Sequence, residues 1–161
     1  MALAGVVSIS SAFIPIGNPV ATIGAGGTGV DSYSSFLGYF AVGGANGGGG
    51  TGNVSGGTGG SGSGGANAPA GAGIPGQGND GGYVSPTGDA GGGGAGSAAV
   101  GAVAGAGRFS SITGTSFEYA KGGSTTTTRV NVANTGDAGQ GPPPGAAAIG
   151  NSGVLIIRVV V

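Results

Sequence analysis

Between Gly44 and Gly65 the sequence reads GANGGGGTGNVSGGTGGSGSGG, and every third residue from its start is Gly44, Gly47, Gly50, Asn53, Gly56, Gly59, Gly62 and Gly65. Seven of these eight positions are glycine, in a chain where glycine supplies only 45 of 161 residues. A three-residue period is the repeat of a left-handed polyproline-II-like helix, which makes no hydrogen bonds within itself. Buried backbone N–H and C=O groups must nevertheless be paired, so such segments are stable only side by side, bonding to one another. A side chain in the contact would keep the backbones apart. Glycine removes that obstacle, at the largest conformational-entropy cost of any residue. The register therefore predicts short glycine helices packed as a bundle, each inter-helix hydrogen bond contributing about 1 kcal/mol net. Collagen fits poorly, because a triple helix needs unbroken Gly-X-Y and abundant proline, whereas the regular run is short and Pro142–Pro144 stands alone.

Composition decides between this bundle and a solvated coil. Glycine and proline together make about a third of the chain, above the roughly 25–30% that usually marks low complexity. Disordered chains, however, combine low hydropathy with high net charge. Here the formal charge is -1 and the mean hydropathy +0.29, so a flexible coil would aggregate and an ordered structure is expected. Cysteine and histidine are both absent, which removes disulfides, thiolate metal sites, the commonest metal ligand and the commonest general base. Four Lys and Arg residues make no basic patch, so nucleic acid and anionic membranes are not expected partners. No run approaches the roughly 18 apolar residues of a membrane span. The apolar start lacks a positive n-region and ends at Pro15, unlike a secretory signal.

The ends differ from the middle. Residues 2–16, with Val6, Val7, Ile9, Phe13, Ile14 and Ile16 among serines, read as a strand, as do Pro19–Ile23 and the β-branched run Val154–Val161. Val130–Val132 is a further strand candidate, and Ala98–Ala104 the one weak helical candidate. The expected fold class is mostly β and irregular. It is a packed bundle of short polyglycine-II helices (left-handed, period three) flanked by terminal β-strands, with little or no α-helix. One domain spans 1–161, with an N-terminal strand segment at 1–23, the glycine-rich bundle at 24–150 and a C-terminal strand at 153–161. The glycine register shifts phase near Asn67–Pro69, Asn79–Gly82 and Ser85–Thr87, which are expected to be turns between helices. Thr87-Gly-Asp-Ala-Gly91 recurs as Thr135-Gly-Asp-Ala-Gly139, and Ser34-Ser-Phe36 resembles Ser110-Ser-Ile112.

No catalytic, cofactor or metal site can be assembled from these residues. Gly24-Ala-Gly26-Gly-Thr-Gly29 matches GxGxxG, but that fingerprint requires an opening helix and an acid about twenty residues on, and another glycine tract follows instead. Asp31, Asp80, Asp89, Glu118 and Asp137 are scattered singly and read as turn acids, not as a catalytic pair. The aromatics are grouped, with Tyr33, Phe36, Tyr39 and Phe40 together, then Tyr83, then Phe109, Phe117 and Tyr119 near Arg108 and Lys121. They either cap the bundle or form a recognition surface, since Tyr, Phe and Arg give large contact area with few rotors. Tyr83, Arg108, Phe109, Phe117 and Tyr119 are the receptor-binding candidates. Val6, Ile9, Val154, Ile156 and Val160 are the candidates for strand-mediated assembly.

Three features together resemble a known family: the apolar strand leading into Gly24–Gly29, the Ser34–Phe36 segment running into Gly43–Gly44, and the terminal Gly153–Arg158. They resemble the glycine-rich domain proteins encoded in tailed-bacteriophage genomes and, more distantly, the polyglycine-sandwich tail-fibre adhesins. The resemblance implies stacked polyglycine-II helices whose distal loops bind receptors on the host surface. The chain is short beside those adhesins, and no separate fibre-attachment domain is expected within residues 1–161. The expectation is a non-enzymatic virion structural protein, on the tail or capsid surface and so extracellular. Its expected partners are other virion proteins or copies of itself, with a host-surface glycan or outer-membrane protein as receptor. A capsid-decoration or self-polymerising fibre subunit is the alternative. An ice-binding protein, suggested by the Thr125–Thr128 run, is the third.

Overall fold

Glycine tracts have almost no side chain to bury, so their structure is decided by where their backbone groups bond. The protein, in a computed structural model, is described over residues 5–27, 32–47, 53–86, 88–124, 132–138 and 150–159. In that structure the tracts bond to one another. Gly56, Gly59, Gly62 and Gly65, all on the period-three register, donate their N–H groups to Pro69, Ala72, Asn79 and Gly82 at 2.9, 3.3, 3.0 and 3.0 Å. A step of three on the donor side is therefore matched twice by a step of three on the acceptor side, with the tracts running parallel. Antiparallel tracts keep the same step: Gly92 and Ala95 donate to Gly123 and Ala120, and Gly150 and Gly153 donate to Gly27 and Gly24. A β-ladder would repeat every two residues. Consecutive donors also point in different directions. Gly91 bonds to Gly101, Gly92 to Gly123 and Gly93 to Gly62, so one tract is held by three neighbours.

This arrangement fixes what the interior can contain. The buried apolar side chains are Ala45, Ala66, Ala90, Ala95, Ala104, Ala120 and Ala138, and the buried polar ones are Ser61, Ser63, Ser124, Thr135 and Asp137. Nothing in the described interior is larger than aspartate or threonine. A methyl group built on Gly62 would overlap the carbonyl of Gly71, and one on Gly122 the carbonyl of Gly92. The backbones are already in contact there. Large side chains are consequently pushed out, and Phe13, Ile16, Val20, Tyr83 and Phe109 are among those exposed. The usual apolar core is inverted.

No described residue is helical, and the strands are short. β1 (Ala21–Thr22), β2 (Tyr33–Phe36) and β3 (Tyr39–Val42) form one antiparallel sheet in the order β1-β2-β3. β4 (Gly65–Ala66) pairs in parallel with β5 (Tyr83–Val84), and β6 (Arg108–Ser110) pairs antiparallel with β7 (Phe117–Tyr119). The β2–β3 hairpin turns on Leu37 and Gly38, both at positive φ (51° and 81°), as a two-residue primed turn requires. Gln77 ties this hairpin to its surroundings. Its Oε1 accepts from the Val42 N–H at 2.8 Å, its Nε2 donates to the Phe40 carbonyl, and its own carbonyl accepts from Val6.

Several expectations are corrected. The terminal segments 1–23 and 153–161 were expected as strands, but among the described residues only Ala21–Thr22 joins a ladder. Residues 7–20 and 154–159 make no backbone hydrogen bond among the described residues. A β-branched run becomes a strand only when a neighbour completes its ladder, and the adjacent tracts are already bonded among themselves. Asn79–Gly82, expected as a turn, is a packed tract that accepts from Gly62 and Gly65, and the Asn79 amide also donates to Gly94. The turn lies at Ile74–Gln77 instead, with Gly76 at φ 82°. Ala98–Ala104 is a tight reversal in which Val100 and Val103 exchange hydrogen bonds around Gly101. Thr125–Thr128, Val130, Asn131 and most of the second half of the proposed repeat lie outside the described residues.

Candidate binding surface

The β6–β7 hairpin gathers four of the five receptor-binding candidates. Its register sets Arg108 opposite Tyr119, Phe109 opposite Glu118 and Ser110 opposite Phe117. Side chains alternate across a strand, so Arg108, Ser110, Phe117 and Tyr119 share one face and Phe109 and Glu118 the other. Phe117 and Tyr119 meet edge to face, with ring centroids 5.1 Å apart. Phe109 projects from the opposite face and is 66% exposed. Glu118 is no free acid: its Oε1 accepts the Gly107 N–H at 2.7 Å and fixes the strand entering the hairpin. Tyr83 stands apart on β5, paired with Gly65. It was expected to share a recognition surface with the other four candidates, but it lies in a different sheet.

Beside the hairpin lies an open groove of about 610 Å³, and Arg108 and Tyr119 form part of its wall. Val6 and Ile9 line it from the N-terminal segment, and Val154 and Ile156 from the C-terminal one. Four of the five assembly candidates therefore converge with two of the receptor candidates on one surface. Val160, the fifth, lies outside the described residues. A second, shallower recess of about 370 Å³ sits on the other side of Tyr119, against Phe117, Val132, Val154 and Ile156. Residues 5–14 carry no charge, and neither Arg108 nor Arg158, which also lines the groove, meets a carboxylate among the described residues. Such a surface offers apolar contact, hydroxyls and two cations.

The described part of the GxGxxG segment, Gly24–Gly27, bonds to other tracts. Gly24 donates its N–H to Ser34 Oγ at 3.0 Å and accepts from Gly153, and Gly27 accepts from Gly150. Its glycines permit close approach of the C-terminal tract. No helix opens after it among the described residues.

The acids also have structural partners. Asp80 Oδ1 accepts from the Gly73 N–H at 2.8 Å. Asp137, expected as a turn acid, is 1% exposed. Its Oδ1 accepts the Lys121 N–H at 3.0 Å, and its Oδ2 lies 3.3 Å from Lys121 Nζ. That second contact is an ion pair without hydrogen-bond geometry, so Oδ2 has no hydrogen-bond partner. One residue thus compensates both oxygens. No sequence signal marks this pair, since the related Asp89, in the same Thr-Gly-Asp-Ala-Gly context, is exposed. Among the described residues no three acids gather as a metal site would need.

No family model, curated protein or solved structure matches the chain.

Proposed function

We propose that this chain is a non-enzymatic structural protein of a tailed-bacteriophage virion, carried at a tail fibre or tail tip, and that it contributes to host-surface receptor binding. In this reading the glycine tracts are polyglycine-II helices. A left-handed helix with three residues per turn points successive N–H groups about 120° apart. The divergence of Gly91, Gly92 and Gly93 toward three tracts and the repeated step of three support it. The observation that carries the functional part is the inverted side-chain distribution. A bundle with an interior of Gly, Ala and Ser is a rigid spacer, and its recognition capacity lies in what it displays, chiefly Arg108, Phe109, Phe117 and Tyr119 on the β6–β7 hairpin. The resemblance to glycine-rich phage proteins supplies the setting.

Binding of the fluorescently labelled protein to intact bacteria tests this reading. Phe109→Ala and Arg108→Ala are each expected to lower cell binding by about tenfold or more, the size of a hot-spot loss. Melting temperature should be unchanged, because Phe109 is exposed and Arg108 is only half-buried. Tyr83→Ala, remote from the hairpin, should change binding much less. Binding unaffected by either hairpin substitution would contradict the proposal. A second reading, as an assembly subunit, is favoured by one specific observation: both terminal segments line the same groove, and among the described residues 7–20 and 154–159 make no backbone hydrogen bond.

A further inference from the structure

We propose that the groove beside the β6–β7 hairpin binds an anionic amphiphile, an aliphatic chain ending in a phosphate monoester. The chain lies along the apolar walls, and Arg108 and Arg158 hold the head group. The proposal rests on the reading of this protein as a surface binder, and it names a ligand class for a face that the hairpin borders. It does not depend on virion location.

The walls come from four parts of the chain. The N-terminal segment contributes Ile9 and Ile14, the β2–β3 hairpin Phe40, the C-terminal segment Leu155 and Ile157, and the β6–β7 hairpin Tyr119. A glycine bundle has no room for such side chains inside, so they gather at its edge. Ile9, Ile14, Leu155 and Ile157 remain 43%, 39%, 37% and 47% exposed, and an aliphatic chain laid against them would remove that area from water. The volume, about 610 Å³, falls within the roughly 300–1,000 Å³ of pockets that take small organic ligands. A free inorganic anion would leave these walls wet.

Charge selects the head group. The charged residues lining the groove are Arg108, Arg158 and Asp137. Asp137 is 1% exposed and already committed to Lys121. Neither arginine meets a carboxylate among the described residues, so the groove presents two uncompensated positive charges. Guanidinium stays protonated, and its planar fork matches the oxygens of a phosphate. A phosphate monoester carries about 1.5–2 negative charges near neutral pH and can balance both arginines, whereas a carboxylate balances one. An acidic peptide would match the charge too. It would also bring an N–H and a C=O per residue, each needing a partner against apolar walls. An aliphatic chain brings none.

Isothermal titration of the full chain with dodecyl phosphate, kept below its micelle concentration, is the test. The expected result is saturable binding that weakens with salt. Arg108→Gln and Arg158→Gln should each weaken it by about tenfold or more, the size of a lost charged hydrogen bond. Arg158 is exposed and Arg108 half-buried, so melting temperature should hold in both variants. Shortening the chain to octyl phosphate should cost about fourfold for each buried methylene lost. Dodecanoate should bind more weakly than dodecyl phosphate, and dodecyltrimethylammonium more weakly still. The proposal is overturned by an absence of saturable binding, by affinity that ignores both arginine substitutions, or by equal affinity for the cationic amphiphile. Inorganic phosphate binding as tightly as dodecyl phosphate would make this a simple anion site and overturn it too. So would displacement of the amphiphile by a peptide of alternating glutamate and leucine at equal concentration. Cell binding reads the receptor proposal separately: a chain that takes up dodecyl phosphate but binds no cells sinks that proposal alone, and one that binds cells but not the amphiphile sinks this one alone.

Discussion

Gly62→Ala is expected to destabilise the protein by about 3 kcal/mol, at the upper end of what overpacking by a single methyl costs. The added Cβ would fall on the Gly71 carbonyl, and the obstacle is backbone, which no rotamer change can move. Relief requires moving the Gly71 tract or displacing Gly62 itself, which is held by its hydrogen bond to Asn79 and by the one it accepts from Gly93. Alanine also lowers the entropy of the unfolded chain, which offsets about 0.4–1 kcal/mol, so the net loss understates the clash. The control is Gly27→Ala. An added methyl there meets nothing within 4 Å, so the same entropy term should leave stability unchanged or slightly raised. Urea midpoints at constant slope measure both. Equal behaviour of the two variants would mean that the tracts do not touch.

Lys121→Met is expected to cost about 3–5 kcal/mol, the range found when one partner of a buried ion pair is removed. Among the described residues the ammonium is the one cation paired with Asp137 Oδ2, and the carboxylate is 1% exposed in an interior otherwise made of small side chains. Combining it with Asp137→Asn should recover much of the loss, because the amide is neutral and its oxygen can still accept the Lys121 N–H. A double-mutant cycle isolates the coupling. A single-variant loss below about 1 kcal/mol would place this pair among ordinary surface salt bridges.

The glycine register could be read in advance because close backbone approach leaves its mark at every third residue. Gly56, Gly59, Gly62 and Gly65 all donate to other tracts. The one break, Asn53, falls at an exposed position, where its side chain accepts from the Asn67 amide. Which tract each would meet was not legible. One stretch of glycine looks like another, and only the closed fold shows that Gly62 meets Asn79 while Gly92 meets Gly123. For the same reason Asn79–Gly82 resembled a turn: turns and packed tracts draw on the same residues. The β2–β3 reversal was hidden by Leu37, which carries no turn signature. The grouping of Arg108, Phe109, Phe117 and Tyr119 was visible as an aromatic and basic cluster, but the isolation of Tyr83 depends on long-range pairing with Gly65. β-Branched composition suggested terminal strands, yet a ladder needs a partner, and among the described residues only Ala21–Thr22 finds one.

The account turns on hydrogen bonds that step by three between tracts. Scalar couplings transmitted across hydrogen bonds, measured by NMR on the isotope-labelled protein, observe them individually. Couplings from the Gly92 nitrogen to the Gly123 carbonyl carbon and from the Ala95 nitrogen to the Ala120 carbonyl carbon, with Gly91 and Gly93 coupled to Gly101 and Gly62, are the predicted result. Partners that advance by two along one neighbouring tract, or amides in these tracts that show no coupling and exchange with water at unfolded rates, would contradict it.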